Sequence, residues 1–408
     1  MYWLDAYRLA EIHRETYVAI LKSWVHHGMR DEFARKCGIT REYFSCLCAL
    51  DSQLDGYMPI HKRYPSPRVA RKIAKALPAP SEIKHSLLES MELSHIDSAR
   101  TYHDSRKTIE PPLVIARVSD LNTAHQQATF GNNLTDVRHA YHVVRDAAEN
   151  LLQRVDPEKY PDSFAQLCLY YHDAQCVLNR PDKALLYAKI AQCVLESIEN
   201  IESGYTREDR DNLEINAIRG EAVAYHNLKL DRLVPDILIN RACRTSAYQN
   251  ARTFWEPFVK RDIINAKVEI PRFGFREVNK IARQIEALCE RNSDELTLLL
   301  VREARLRSLI KHEKIKEAQR VFRGEIERLP HLSHAGALHR VLLLKSGADL
   351  AWKLHDKDTW ETYSTEAVQL MQNAGLIHQL ARIKQAYGSS LRPVLGKLGL
   401  SYAQSIRT

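Results

Sequence analysis

The chain contains little of the two residues that most often interrupt helices. It has 14 glycines and 15 prolines among 408 residues, whereas Leu, Ala, Arg, Glu and Lys are abundant. Glycine and proline are the weakest helix formers and these abundant residues are among the strongest, so the composition predicts a mostly helical protein. The length is sufficient for two or three domains with a sizeable core.

Long hydrophobic runs are missing as well. No apolar run approaches the roughly 20 residues that a helix needs to cross a bilayer. The first residues, MYWLDAYRLAEIHRE, lack the basic region and apolar core of a secretory signal. We therefore expect a cytoplasmic protein with no membrane partner.

Sequence motifs of common enzymes are also absent. The chain has no GxxxxGK[ST] phosphate loop, no GxGxxG after a predicted strand, no HExxH and no GxSxG. The 18 histidines show no spacing typical of a metal site or of a base beside a nucleophile. We therefore expect neither an enzyme nor a cofactor.

Eight cysteines are scattered along the chain, which favours buried apolar positions over disulfides in a cytosolic protein. Cys37, Cys46, Cys48 and His61 could supply four zinc ligands. However, structural zinc sites favour CxxC pairs, and on a helix the thiols of Cys46 and Cys48 point in different directions. We therefore expect no metal site.

Residues 30–50, RDEFARKCGITREYFSCLCAL, have the pattern of a helix-turn-helix. Gly38 can adopt the left-handed conformation that ends the first helix, and Thr40 can cap the second. The spacing of the apolar residues predicts one shared buried face, formed by Phe33, Ala34, Ile39, Phe44 and Leu47. Such a unit holds the start of its second helix in the major groove of DNA, whereas a packing module without a DNA role is the alternative.

A basic segment follows this pattern. Between Ile60 and Ser81 there are six basic residues and no acid, in a chain of net charge +8. Cations beside a helix that contacts DNA bases can neutralise phosphates. For Arg71, Lys72 and Lys75, a solvent-exposed helix face without a binding role is an equally good interpretation. The candidate DNA contacts are Arg35, Thr40, Arg41, Tyr43, Ser45, Lys62, Arg63 and Arg68.

Residues 16–90 resemble the Xre/Cro-type helix-turn-helix family. Tyr17, Ile20, Leu21 and Trp24 correspond to its first helix, and PSPRVARKIAKAL (Pro65–Leu77) is similar to its later helix. The connection over 51–66 is longer than is usual after the recognition helix. The resemblance implies that residues 1–94 form a DNA-binding domain.

From about Leu113 onwards, helical patterns alternate with short breaks. Several pairs have the small-residue rhythm of tetratricopeptide-like repeats, although a generic helical array is the alternative. The clearest pairs are Phe164–Leu178 with Asp182–Glu196, Leu296–Lys311 with Lys314–Arg328, and Leu338–Leu354 with Lys357–Asn373. The predicted fold is all-α, with an N-terminal helix-turn-helix bundle, a linker over 95–112 that closes on a Pro-Pro stop, and a right-handed α-solenoid over 113–408.

Polar residues at helical spacing mark a candidate peptide groove. Asn212, Asn216 and Arg219 share one face of a predicted helix, and amide side chains can both donate to and accept from a peptide backbone. Solvent-facing helix residues are the alternative reading. The candidate peptide contacts are Tyr171, Gln175, Asn212, Asn216, Arg219, Glu303 and Arg307.

This combination of domains resembles the peptide-pheromone receptors of Gram-positive bacteria and their phages, the Rgg/PlcR/PrgX group and the arbitrium receptors. The resemblance implies a transcription factor that binds double-stranded DNA, senses a short signalling peptide through its repeat domain and forms a homodimer. Two alternatives remain open: an interaction scaffold, and a regulatory inhibitor that binds a protein instead of DNA.

Overall fold

The described part of the chain is helical throughout its regular structure. The computed structural model describes residues 6–25, 27–48, 65–93, 111–130, 137–198, 201–202, 204–270, 274–332, 336–374, 383 and 387–399. Within these ranges every regular element is a helix, so the all-α class is confirmed. None of the described helices combines the length and apolar character needed to cross a lipid bilayer.

The described ranges contain 19 α-helices, joined in places by short 3-10 turns. They are α1 (Ala6–Trp24), α2 (Arg30–Cys37), α3 (Arg41–Leu47), α4 (Pro67–Ala76), α5 (Ser81–Leu93), α6 (Pro111–Phe130), α7 (Val137–Leu152), α8 (Pro161–Val177), α9 (Pro181–Ser197), α10 (Arg207–Asn227), α11 (Val234–Asn240), α12 (Ser246–Asn250), α13 (Arg252–Glu269), α14 (Phe275–Asn292), α15 (Glu295–Lys311), α16 (Ile315–Arg328), α17 (Ala337–Lys353), α18 (Lys357–Asn373) and α19 (Arg392–Lys397).

The chain divides into two compact units. The first comprises Met1–Ser119, Arg145–Cys176 and Arg180–Ala247, and the second comprises Asp120–Val144, Val177–Asn179 and Tyr248–Thr408. In the first unit α9 packs on α1 and α5, so the N-terminal helices share a unit with the first helices of the predicted repeat domain. The predicted domain boundaries stay a prediction.

Two details at the predicted linker and before it differ from expectation. Pro111 and Pro112 begin α6 instead of forming a stop, because proline is tolerated in the first helical turn, where its missing N–H loses no partner. Serine is a preferred helix cap, but Ser81 is the first residue of α5 and not its cap. The carbonyl of Pro80 accepts the first helical hydrogen bond, from the N–H of Lys84 at 3.1 Å. The rest of the predicted linker, 95–110, lies outside the described residues.

The N-terminal bundle has one core. Tyr17, Ile20 and Leu21 of α1 are fully buried in it, and Phe44 and Leu47 of α3 are fully buried as well. The predicted shared face of α3 is thus confirmed as buried, and three of the α1 residues matched to the first helix of the family are buried with it. This burial, with about 1.5–3 kcal/mol for each fully buried large apolar side chain, stabilises the bundle.

In the second unit, two helices contact both the next helix and the one after it. α13 contacts α14 and α15, and α15 in turn contacts α16 and α17. Gly347 of α17 permits one close approach, since an added Cβ there would lie 2.4 Å from Cζ of Phe322. The ring of Phe322 therefore packs directly on the backbone of α17.

Five described helices end on a non-glycine residue in the left-handed conformation, with φ between 56° and 64°. These residues are Asn179, Lys229, Ser293, Glu313 and His355. After each of them the next N–H bonds to the carbonyl five residues earlier, as Lys314 bonds to Leu309 at 2.9 Å. This Schellman arrangement satisfies carbonyls that the helix end leaves unpaired, and it turns the chain away from the helix axis.

Replacing Glu313 with glycine should raise the free energy of unfolding by about 0.5–1 kcal/mol, since glycine adopts positive φ without the strain of a Cβ atom. Removal of the Glu313 side chain should cost little stability, because this side chain is 78% exposed and its carboxylate lies 3.9 Å from Nζ of Lys353. Urea unfolding measures the change. The same replacement at the exposed Glu366 inside α18 should lower stability by about 1 kcal/mol, and a loss at both positions would contradict the strain argument.

Candidate functional site

The turn between α2 and α3 has the predicted geometry. Gly38 has φ 64°, and the N–H of Ile39 bonds to the carbonyl of Ala34 at 3.1 Å. Oγ1 of Thr40 accepts the N–H of Tyr43 at 3.2 Å, which makes Thr40 the cap of α3. The two helices therefore meet at a fixed angle, and their buried faces point into one core.

Most of the predicted DNA contacts lie on the exposed side of this bundle. Tyr43 is half-buried against the core, and burial raises the pKa of its phenol. Lys62 and Arg63 lie outside the described residues, so their role stays a prediction. The exposed candidates are Arg35, Thr40, Arg41, Ser45 and Arg68.

Two cations on α2 and α3 are already paired with carboxylates. Nε of Arg41 lies 2.9 Å from Oδ1 of Asp31, and Nζ of Lys36 lies 2.8 Å from Oε1 of Glu32. Both pairs are well exposed to solvent, so each contributes only about 0–1 kcal/mol to stability. They nevertheless reduce the positive charge that α2 and α3 present.

The positive charge of the bundle is concentrated on α4. Arg68, Arg71, Lys72 and Lys75 are all exposed, and their spacing of i, i+3, i+4 and i+7 places them on one face of the helix. We call this set the α4 basic face. Only Arg68 was predicted as a contact. The helical spacing of the other three was the signal available in the sequence, but it does not by itself distinguish a binding face from a solvated one.

α1 and α5 of the bundle pack against α9. Lys183 of α9 forms an ion pair with Glu89 of α5. Lys189, one helical turn and a half further on, pairs with Glu15 of α1 and with Oε1 of Glu221 on α10 at 2.8 Å. The N-terminal bundle and α10 are thus connected through the side chain of Lys189.

Glu221 is 2% exposed and has three partners. Besides Lys189, its carboxylate accepts Nη1 of Arg241 at 2.8 Å and Nε2 of Gln192 at 3.0 Å. Burial alone raises the pKa of Glu221, but the charges of Lys189 and Arg241 outweigh it and lower the pKa. The carboxylate is therefore ionised, and it joins α10 to α9 and to the turn after α11.

The predicted ligand face on α10 is present as a face. Asn212, Asn216 and Arg219 are all partly exposed, and Nη1 of Arg219 donates to Oδ1 of Asn216 at 3.2 Å. Ile215 and Ile218 are buried on the other side of α10. The three polar residues thus stay together, while their binding to a peptide stays a prediction.

The other predicted peptide contacts lie in the interior of the packed helices. Tyr171 and Gln175 are each 5% exposed. The Tyr171 ring lies 4.3 Å from that of Tyr187, measured between centroids, and burial raises the pKa of its phenol to about 12. In this conformation both side chains contribute to helix packing.

Glu303 and Arg307 belong to the second unit, whereas the other peptide candidates belong to the first. Nε of Arg307 donates to Glu303 at 2.9 Å, and its terminal nitrogens donate to Glu269 and Asn265 at 2.7 Å each. Glu303 is 4% exposed and also accepts the hydroxyl of Ser346 at 2.8 Å. These partners occupy both side chains, which join α13, α15 and α17.

One histidine on α8 lies beside a cysteine and a carboxylate. Nδ1 of His172 lies 2.9 Å from Oδ1 of Asp173, and Nε2 lies 2.9 Å from the carbonyl oxygen of Gly220 and 3.6 Å from Sγ of Cys176. Burial lowers the pKa of His172, but Cys176 and Asp173 raise it well above the ordinary value. Because both ring nitrogens face oxygen acceptors, the protonated ring can donate to both.

The described cysteines are free thiols. Burial raises the pKa of Cys37 and of Cys48 to about 11, which opposes the thiolate form that a metal ion needs. Among the described residues no three His, Cys, Asp or Glu side chains are grouped to hold a metal ion. His61 lies outside these ranges.

Comparison of the chain with models of protein families, with curated proteins and with solved structures found no significant match.

Replacing Lys189 with methionine should lower the free energy of unfolding by about 3 kcal/mol, because it removes one partner of a buried carboxylate. Replacing Glu15 with glutamine should cost at most about 1 kcal/mol, since that side chain is 36% exposed. Guanidinium unfolding of both variants tests the difference. Equal losses would mean that the burial of Glu221 does not set the strength of this network.

The raised pKa of His172 predicts a pH dependence of stability. The group binds its proton more tightly when folded, so its stabilising contribution is complete below the unfolded pKa of about 6.5. This contribution is lost as the pH rises through the folded pKa. In His172→Gln the free energy of unfolding should fall less steeply between pH 6.5 and about 10, where tyrosines begin to titrate. An unchanged slope would contradict the assignment.

Proposed function

We propose that this chain is a sequence-specific DNA-binding regulator whose second half senses a ligand. In this proposal α2 and α3 form a helix-turn-helix of the Xre/Cro type, and α3 enters the major groove. The observation that carries the proposal is the α2–α3 corner, where a glycine-ended helix and a capped helix expose polar residues beside the α4 basic face. A corner of this kind presents the N-terminal end of its second helix to base edges.

The α4 basic face supplies the complementary charge. Its four cations project from a helix that contains no acidic residue, and α4 packs on α2. Lys72 lies at the end of α2, since its Nζ would be 3.5 Å from a Cβ added to Gly38. Cations in this position could neutralise phosphates on either side of the groove, which favours a nucleic acid as the partner.

The helices after Pro111 are proposed to form a tetratricopeptide-like right-handed solenoid. The repeated left-handed helix ends support this, as does the packing of α13, α15 and α17 on one another in the second unit. We take the ligand to be a short signalling peptide, held in part by Asn212, Asn216 and Arg219. We also propose that the protein acts as a cytoplasmic homodimer, whose two-fold symmetry would require paired half-sites.

One observation favours a different function. Asp31 and Glu32 neutralise cations of α2 and α3, so the corner itself is less positive than the sequence suggests. A surface with paired charges suits a protein partner. This supports the alternative of an interaction scaffold or regulatory inhibitor, in which the N-terminal bundle binds a protein and no duplex is recognised.

The test is selection of duplexes from a pool with a randomised centre, at near-physiological salt, followed by sequencing. Enrichment of one site supports the regulator. The triple variant Arg68→Gln, Lys72→Gln, Lys75→Gln should then bind every duplex more weakly. Its salt dependence should also be shallower, by about 0.9 in slope for each phosphate that the variant no longer neutralises.

The second unit provides a matched control. Lys316, Arg320 and Arg323 of α16 are exposed and have the same i, i+4, i+7 spacing as the replaced cations. Glutamine at these three positions removes the same charge and should leave the salt dependence unchanged. Equal effects of the two triple variants would refute a specific role for α4, and no enrichment by the wild type would favour the protein-binding alternative.

A further inference from the structure

Arg41 is the one basic residue of α3, and it begins that helix. Its side chain is 64% exposed, and its Nε lies 2.9 Å from Oδ1 of Asp31 on α2. An arginine at the start of a recognition helix can pair with N7 and O6 of guanine through two N–H groups. The contact with Asp31 therefore occupies the Nε edge of the Arg41 guanidinium, which is the group best suited to recognise a base.

The position of Asp31 relative to Arg41 is well defined by the backbone. α2 and α3 are joined through the Gly38 turn and the Thr40 cap, and the rings of Phe33 and Phe44 lie 5.2 Å apart between centroids. Asp31 occupies the first turn of α2. A carboxylate on one rigid helix can thus restrict the rotamers of an arginine on the other.

We propose that Asp31 is a positioning residue for base recognition, which holds Arg41 by its Nε edge so that its terminal nitrogens are directed at a guanine. This inference rests on the proposed function. Its physical basis is preorganisation: a long side chain that is already restrained loses less conformational freedom on binding. Asp31 then favours the correct base pair, although its negative charge opposes binding to phosphates in general.

A variant at Glu32 provides the control that distinguishes this positioning role from a simple effect of charge. It stands beside Asp31 in the first turn of α2, and it pairs with Lys36 at 2.8 Å and not with Arg41. Asp31→Asn and Glu32→Gln therefore remove the same charge from the same helix end. Both should increase affinity for an unrelated duplex such as poly(dA-dT), because each removes a negative charge near the phosphates.

The experiment compares affinities for the duplex that the wild type selects and for versions in which single G·C pairs become A·T. Asp31→Asn should reduce discrimination at one G·C pair by about two- to fivefold, the range expected for an exposed ion pair. Glu32→Gln should not alter it. Arg41→Ala should abolish discrimination at that pair, and adding Asp31→Asn to Arg41→Ala should cause no further loss.

Equal discrimination in Asp31→Asn and Glu32→Gln would overturn the positioning role, as would independent, additive effects of Asp31→Asn and Arg41→Ala. A wild-type protein that selects no duplex would overturn the proposed function and this inference together. That outcome is distinguishable, since it appears before any variant is made. Thermal unfolding of each variant verifies that the exposed substitutions leave the bundle folded.

Discussion

The first compact unit depends on the buried carboxylate of Glu221. A charge with 2% exposure is stable only when its partners satisfy it. Here the partners come from two segments: Lys189 and Gln192 from α9, and Arg241 from the turn after α11. Lys189 also reaches Glu15 of α1. One electrostatic requirement thus connects the N-terminal bundle with the helix that carries the proposed ligand face.

This connection has a consequence for regulation. The N-terminal bundle shares a compact unit with α9 and α10, so the proposed DNA-binding domain is not separate from these helices. The proposed ligand on α10 would act on the bundle through Lys189 and the helix contacts around it, if it bound two arrangements of these helices with different affinity. At the same time the α2–α3 corner and the α4 basic face remain exposed, so docking on α9 leaves the proposed DNA surface accessible.

Much of the local structure was predictable because it depends on neighbours in sequence. The left-handed Gly38, the Thr40 cap and the α18 bounds Lys357–Asn373 follow from turn chemistry and helical periodicity. One error was local too: Pro111 and Pro112 begin α6 and do not form a stop, because proline is tolerated in the first helical turn. Left-handed residues such as Glu313 were not predictable, since their conformation follows from the packing of two helices and opposes their own preference.

The sequence by itself determined that the protein is all-α, roughly where the helices of the three clearest predicted pairs begin and end, and that a glycine turn joins two short helices beside a basic segment. Only the tertiary structure decided what the polar side chains do. Periodicity assigns a residue to a face, but the element that packs on that face decides whether the residue meets solvent. Asn212 therefore lies on a face that is partly exposed, whereas Glu303 is buried and forms an ion pair with Arg307. Arg41 forms an ion pair with Asp31 of the preceding helix. Such pairings join residues through space, and no spacing along the chain encodes them.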